Sequence, residues 1–199
     1  MMSLKYKCMM CGTCCHEAPG EFVKRIPIYP EEADELIEVA KERDNNFKII
    51  EDLIFPDTKN KKILVLTYRI RLDNKSQGCS FYDKKIGCSV HNIKPMACQA
   101  YPLALKQLDA FNFEISIDPL CNFVINNYEA LKTTDLKKLK TIFQEEYPKA
   151  EIFYRKNKRL MFKIKELEVT NKISIPREID VEHFNEYLQK WDRKEIRVK

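Results

Sequence analysis

No stretch of eighteen or more apolar residues occurs in this chain, so the sequence offers no helix able to cross a membrane. It contains no G-x-G-x-x-G, no P-loop lysine motif and no G-x-S-x-G. Those absences remove the phosphate-cradling turns of nucleotide enzymes and the nucleophile elbow of serine esterases. Glycine and proline are sparse, at 4 and 9 residues, which excludes a low-complexity or fibrous chain. The opening MMSLKYKCMMCG has no apolar stretch of signal-peptide length, and this sets the expectation of a cytoplasmic protein.

What the chain has is sulfur. Its eight cysteines stand at Cys8, Cys11, Cys14, Cys15, Cys79, Cys88, Cys98 and Cys121, four of them within eight residues. A reducing compartment disfavours disulfides and shifts such a set toward metal ligation or catalysis. The formal net charge is +5 with neutral thiols, but eight thiolates holding two dications would cancel most of it, so charge alone does not call for nucleic acid. The basic run YRKNKR, Tyr154 to Arg159, reads as a solvated helix face rather than a nucleic-acid surface.

The 199 residues, 44% hydrophobic and 33% charged, suit one folded α+β chain. The expected layout is a small metal-centred, cysteine-rich domain with few strands over 1–125 and a helical C-terminal extension packed on it over 126–199. Alternation predicts strands over Glu21–Tyr29, Lys61–Leu72 and Phe111–Ile117. The segment from Pro30 to Asp44 predicts a helix, with Glu31, Glu32 and Asp34 in its first turn and Lys41 and Arg43 near its end, matching the helix dipole. Helical spacing also covers Asp135–Tyr147, capped by Thr134, then Glu151–Leu167, then Asp180–Trp191 with Phe184, Tyr187, Leu188 and Trp191 facing inward.

Cys8, Cys11 and Cys14 recur every three residues, a spacing that lets a turning backbone aim successive sulfurs at one centre. Ferredoxin-type loops use C-x-x-C-x-x-C with a distant fourth cysteine to hold an iron–sulfur cluster, whereas zinc modules more often use two separate C-x-x-C knuckles. Adjacent Cys14 and Cys15 are expected to diverge, serving two neighbouring centres or leaving one to pack. Gly12 suits the bend, and Met9 and Met10 read as apolar filler. In the second group, GCSFYDKKIGCSVHNIKPMACQAYP, Asp83–Gly87 predicts a hairpin turn returning Cys88 beside Cys79, while Pro95 and Pro102 set the chain's entry to and exit from Cys98. Cys121 is the closing candidate. One partition is Cys8, Cys11, Cys14 and Cys121 against Cys15, Cys79, Cys88 and Cys98; exchanging Cys14 with Cys15, or Cys121 with Cys98, is equally consistent.

The opening CMMCGTCC followed by GCSFYDKKIGCSVHNIKPMACQAYP resembles the CxxCxxCC, or YkgJ-like, family of zinc- or iron-chelating proteins, over residues 8 to 102. The resemblance implies that Cys8, Cys11, Cys14, Cys15, Cys79, Cys88 and Cys98 are ligand positions and that Pro95, Tyr101 and Pro102 are framework. His91, Lys94 and Gln99 depart from the family pattern, which has Tyr, Arg and Arg there. Some larger members look like flagellin lysine methylases, so the resemblance extends to a methyl-transfer or redox role by analogy.

The reading that follows is a metal-binding protein with one or two iron–sulfur clusters of the 4Fe-4S type and an unidentified redox or protein partner. It would serve in electron transfer, as an iron–sulfur-dependent oxidoreductase, or in a protein-modifying methyl-transfer system. The competing reading is structural zinc in closed four-thiolate sites, with the helical tail as an interaction module. His16 reads as hydrogen-bonded, His91 as a substitute ligand only if a cysteine stays free, and His183 as structural. Asp83, Asp118 and Glu17 read as solvated turn carboxylates, and Tyr82 and Tyr101 as cover over the sulfurs.

Overall fold

The computed structural model describes residues 4–16, 26–73, 76–109 and 113–198. In chain order the elements are strand β1 (Pro27–Ile28), helix α1 (Pro30–Glu42), strands β2 (Ile49–Asp57) and β3 (Lys62–Ile70), the short strands β4 (Tyr82–Asp83) and β5 (Gly87–Cys88), helix α2 (Met96–Ala100), and strands β6 (Leu103–Gln107) and β7 (Phe113–Ile117). Helices α3 (Asn122–Asn126), α4 (Tyr128–Lys132), α5 (Leu136–Ile142), α6 (Glu146–Val169) and α7 (Val181–Lys190) follow, then strand β8 (Asp192–Glu195). The class is α+β, with most strands antiparallel and in the N-terminal half. By contact the chain divides into two compact units: Met1–Ile26, Asn45–Phe47 and Leu72–Arg155 form one; Pro27–Asp44, Lys48–Arg71 and Lys156–Lys199 form the other.

The second unit is organised by β3. Ile63, Leu64, Val65 and Leu66 are each 0% exposed, the continuous apolar run of a strand covered on both faces. β2 pairs antiparallel along one edge, from Ile49 opposite Ile70 to Asp57 opposite Lys62, with a register shift between Glu51 and Ile54. The other edge is shared by β1, antiparallel at Ile28 opposite Tyr68, and by β8, parallel at Lys62 opposite Asp192. Helix α1 starts at Pro30, as the sequence predicts, with the Glu32 carboxylate accepting from the Tyr29 N–H at 2.8 Å. It buries Ala33, Leu36 and Ala40. The fully buried Asp57 carboxylate accepts from the N–H groups of Lys59 and Ser174 at 3.2 and 3.0 Å, tying the β2–β3 turn to the segment after α6. Helix α7 is capped by Asp180, which accepts from His183 N–H at 2.8 Å. Its expected inward face is half-buried only, with the Tyr187 and Trp191 rings stacked at 3.9 Å.

The first unit has shorter elements. Its core is an aromatic cluster in which the Tyr6 ring meets Phe123 at 5.0 Å and Phe143 at 5.1 Å, with Leu103, Cys121, Val124, Leu131 and Ile142 around it. The Tyr6 N–H donates to the Ile142 carbonyl at 2.8 Å, fixing the chain just before Cys8. The helix expected over Asp135–Tyr147 is only Leu136–Ile142, and its cap is Asp135, accepting from Lys138 N–H at 2.8 Å. Thr134 instead donates its hydroxyl to Ala130 O. Burying Phe143 ends that helix, and α6 restarts at Glu146 with Pro148 in its first turn, where a missing N–H costs nothing. Of the strand expected over Glu21–Tyr29, residues 21–25 lie outside the described residues and Pro27–Ile28 is β1. Phe111 and Asn112 lie outside them too, and the rest of that strand is β7, paired with β6. Residues of α6 up to Arg155 belong to the first unit and those from Lys156 to the second.

Candidate metal centre

All eight cysteines are among the described residues, in the first unit, and all are free thiols. The N-terminal four sit on a tight loop closed by one 3-10 turn, Thr13–Cys15. Gly12 makes the turn at φ +81°, and a Cβ there would lie 2.2 Å from the Tyr82 ring. Both backbone conformation and space therefore demand glycine. Its carbonyl accepts from Cys15 N–H and from the His16 ring at Nδ1, each at 2.8 Å, while the Tyr82 hydroxyl donates to Cys11 O at 3.0 Å. The His16 ring stands edge-on to Tyr82 at 5.0 Å. His16 thus holds the loop, and Tyr82 lies against the loop backbone.

Backbone pairing joins this loop to the second cysteine group. Cys79 N–H donates to Cys15 O at 2.7 Å, and His16 bridges Gly78. The expected hairpin is present: Tyr82 pairs with Cys88 and Asp83 with Gly87. The Asp83 carboxylate accepts from Lys85 and Ile86 N–H at 2.7 and 3.1 Å, and Gly87 adopts φ +78°. Cys98 follows within α2, after Pro95, and Cys121 caps α3.

The sulfurs are near enough to feel one another. Cys14 and Cys15 lie 3.8 Å apart, so these neighbours converge rather than diverge: the 3-10 turn folds their side chains to one side. Hydrogen bonding to Cys14, burial, and the charges of Cys14, Cys79 and Cys98 push the Cys15 thiol far above its usual range. Burial pushes Cys79 up to about 11, with Cys88 and Cys14 adding to it. Burial, then Cys14, Cys79 and Cys88, push Cys98 up as well. Cys88 is raised by burial and by Cys14 and Cys8, and Cys121 by burial and by Cys11. Cys14 is therefore the common neighbour of both cysteine groups.

Backbone donors are already aimed at three sulfurs. Phe81 N–H bonds Cys79, Val90 N–H bonds Cys88, and both Phe123 and Val124 N–H bond Cys121, each favouring the thiolate. The Tyr6 hydroxyl also bonds the Cys121 sulfur. Such N–H to sulfur bonds orient and tune thiolates that hold a metal. Among the described residues no three His, Cys, Asp or Glu side chains stand as a formed ligand group; what is gathered is backbone, mutual charge and pre-aimed donors. That donor set, soft sulfurs raised by burial and by each other, fits a thiophilic cation, whose charge relieves both costs.

The remaining sequence candidates fall outside this cluster of sulfurs or serve the backbone. Glu17 lies outside the described residues. Asp118 accepts from Leu120 N–H at 2.8 Å, holding the turn before Cys121. His91 lies beside Lys94 at 3.4 Å and is lowered by burial and by that ammonium. His183 bonds Asp180 on α7 in the second unit. Met9 and Met10 are exposed rather than filler, at 56% and 47%, on a loop where Cys11 is exposed as well. Sequence reading missed Tyr6; an aromatic two residues before the first cysteine was its only signal.

No curated protein and no solved structure matches the chain. A family model does, over residues 7–122, described as "CxxCxxCC: Putative zinc- or iron-chelating domain". The matched segment holds all eight cysteines and more than half of the 199 residues. By that match, and with its cysteine segments joined as above, the chain belongs to the CxxCxxCC family of zinc- or iron-chelating domains.

Proposed function

We propose that the first unit holds an iron–sulfur centre through thiolates drawn from Cys8, Cys11, Cys14, Cys15, Cys79, Cys88, Cys98 and Cys121, and that the chain works with a redox or protein partner. One observation carries this reading: thiols from four separate stretches of sequence, at Cys15, Cys79, Cys88 and Cys98, are raised by burial and by the charge of Cys14. The triplet spacing of Cys8, Cys11 and Cys14 supports a cluster. So do the N–H bonds to Cys79, Cys88 and Cys121, of the kind that set a cluster's potential. A bound cluster supplies one-electron chemistry, for electron transfer or for a redox or methyl-transfer enzyme. This chain's residues orient the sulfurs, with the Tyr6 hydroxyl donating to Cys121 and the Tyr82 hydroxyl holding the Cys11 carbonyl.

A second reading rests on a specific distance. The 3.8 Å between the Cys14 and Cys15 sulfurs equals the roughly 3.8 Å edge of a tetrahedron with ~2.3 Å zinc–sulfur bonds. Those two cysteines would then share one zinc ion in a closed structural site serving an interaction module. Protein purified without oxygen discriminates the two. A brown protein with iron and acid-labile sulfide in equal amounts supports the cluster; a colourless one with stoichiometric zinc supports the second reading. A full-length, folded protein retaining neither metal overturns both.

A further inference from the structure

On the same unit, a cavity of about 740 Å³ is walled by the segment around Lys5–Cys8, the turn at His91–Lys94, and the start of α6. Four lysines line it: Lys5 and Lys7, which are exposed, and Lys94 and Lys149, which are half-buried. Lys5 is 3.8 Å from Glu145, whereas Lys7, Lys94 and Lys149 make no ion pair with a described carboxylate. Lys94 is half-buried, with the His91 ring at 3.4 Å, and its charge reaches Cys88 and Cys98. The second carboxylate on the wall, Glu146, is half-buried and raised by that burial, while the charges of Lys94 and Lys5 pull it the other way; two carboxylates stand against four lysines on this wall. Asn92 and Gln99 add amide groups, the Gln99 Nε2 being already committed to Lys94 O at 2.7 Å.

Like charges converging on a concave, partly dry surface repel, and the cost is relieved by a counter-ion of matching size. The volume lies within the roughly 300–1,000 Å³ of small-molecule sites. We infer that this cavity binds a small anion carrying two or more negative charges, on carboxylate or phosphate groups, held by Lys7, Lys94 and Lys149 beside Cys8. Lys94 is the deepest of the three and sets its position. The inference is independent of which metal the sulfurs hold.

The test titrates the full chain, at low ionic strength, with succinate in one arm and inorganic phosphate in the other. Both are weak chelators, and metal content is measured before and after. The expected result is one-to-one binding with a dissociation constant below about 1 mM in at least one arm, the responding arm naming the carboxylate or phosphate class. Lys94→Gln and Lys149→Gln should each weaken it at least tenfold, Lys94→Arg should retain most of it, and Lys165→Gln, an exposed lysine on the part of α6 outside this unit, should change it less than twofold. Silence in both arms overturns the inference. So does a Lys165→Gln loss equal to that of the cavity variants, which marks diffuse charge attraction, or a heat signal that tracks loss of metal.

Discussion

The two units are built on opposite principles. The second is a sheet whose central strand contributes four consecutive residues with no exposure, flanked by helices with apolar faces. The first is a set of strands two to five residues long and short helices, with an aromatic cluster that takes in Cys121 and is packed by Cys8, and eight thiols in all. Apolar burial gives roughly 25 cal/mol per Å² wherever it occurs, and the second unit has it in a continuous layer. The first unit instead carries mostly half-buried thiols, several of which repel one another when ionised. One unit is complete as folded polypeptide; the other is arranged for something that polypeptide does not supply.

Removing metal gives the sharpest contrast. A structural thiolate site binds with about 10–16 kcal/mol of apparent free energy, and that energy is folding energy. Stripping the protein with a chelator should abolish hydrogen-exchange protection at Cys79, Ser89 and neighbouring amides of the first unit while β3 amides stay protected. Equal loss in both units would erase the distinction. Next in size is the converse. Leu64→Ala removes a fully buried side chain from β3 and should cost about 2–5 kcal/mol. Denaturant melting should show that loss, with metal content per folded molecule unchanged.

The sequence made the second unit's centre readable and blurred its edges. Ile63–Leu66 and the α1 charges follow rules of period and dipole that act locally. β2 escaped because Glu51, Asp52 and Pro56 break its alternation; an edge strand paired only to β3 tolerates them. β8, with sequence Asp-Arg-Lys-Glu, has no strand signature at all and is one by virtue of its parallel pairing with β3. In the first unit the cysteine spacing and the Asp83–Gly87 hairpin were legible because turn chemistry is local. The Gly12 fit against Tyr82 and the Tyr6 contact were not, since each depends on residues brought together across the chain, and the approach of Cys14 to Cys15 was not because it depends on a 3-10 turn that the cysteine spacing does not specify.

Gly12 tests how finely the first unit's loop is fitted. Ala there meets the Tyr82 ring and is strained at φ +81°, so Gly12→Ala should destabilise by about 1–3 kcal/mol and lower the metal content. Adding Tyr82→Ala should recover only the steric part, because the backbone strain remains. The same Gly→Ala change at Gly78, where φ carries no such penalty and the nearest neighbour is the His16 ring at 2.9 Å, should cost less. If Gly12→Ala melts and binds metal as the parent does, the loop is looser than its hydrogen bonds indicate.

Alkaline pH should separate the units by the smallest margin. The folded thiols of Cys15, Cys79 and Cys98 are raised above those of the unfolded chain, by burial and by each other. A raised group stabilises the fold fully below its unfolded value, near 8.5, because both states are then protonated. Above that value the unfolded chain releases protons that the folded chain retains, so stability falls as pH rises toward the folded values, about 11 for Cys79. Metal-free protein should therefore lose a few degrees of melting temperature between about pH 8 and 10, with the loss confined to first-unit probes. Metal-loaded protein should show none of it, since bound thiolates have no proton left to lose. A pH-independent melt of the metal-free form would mean that these thiols are not crowded together, and the contrast between the two units would lose its electrostatic half.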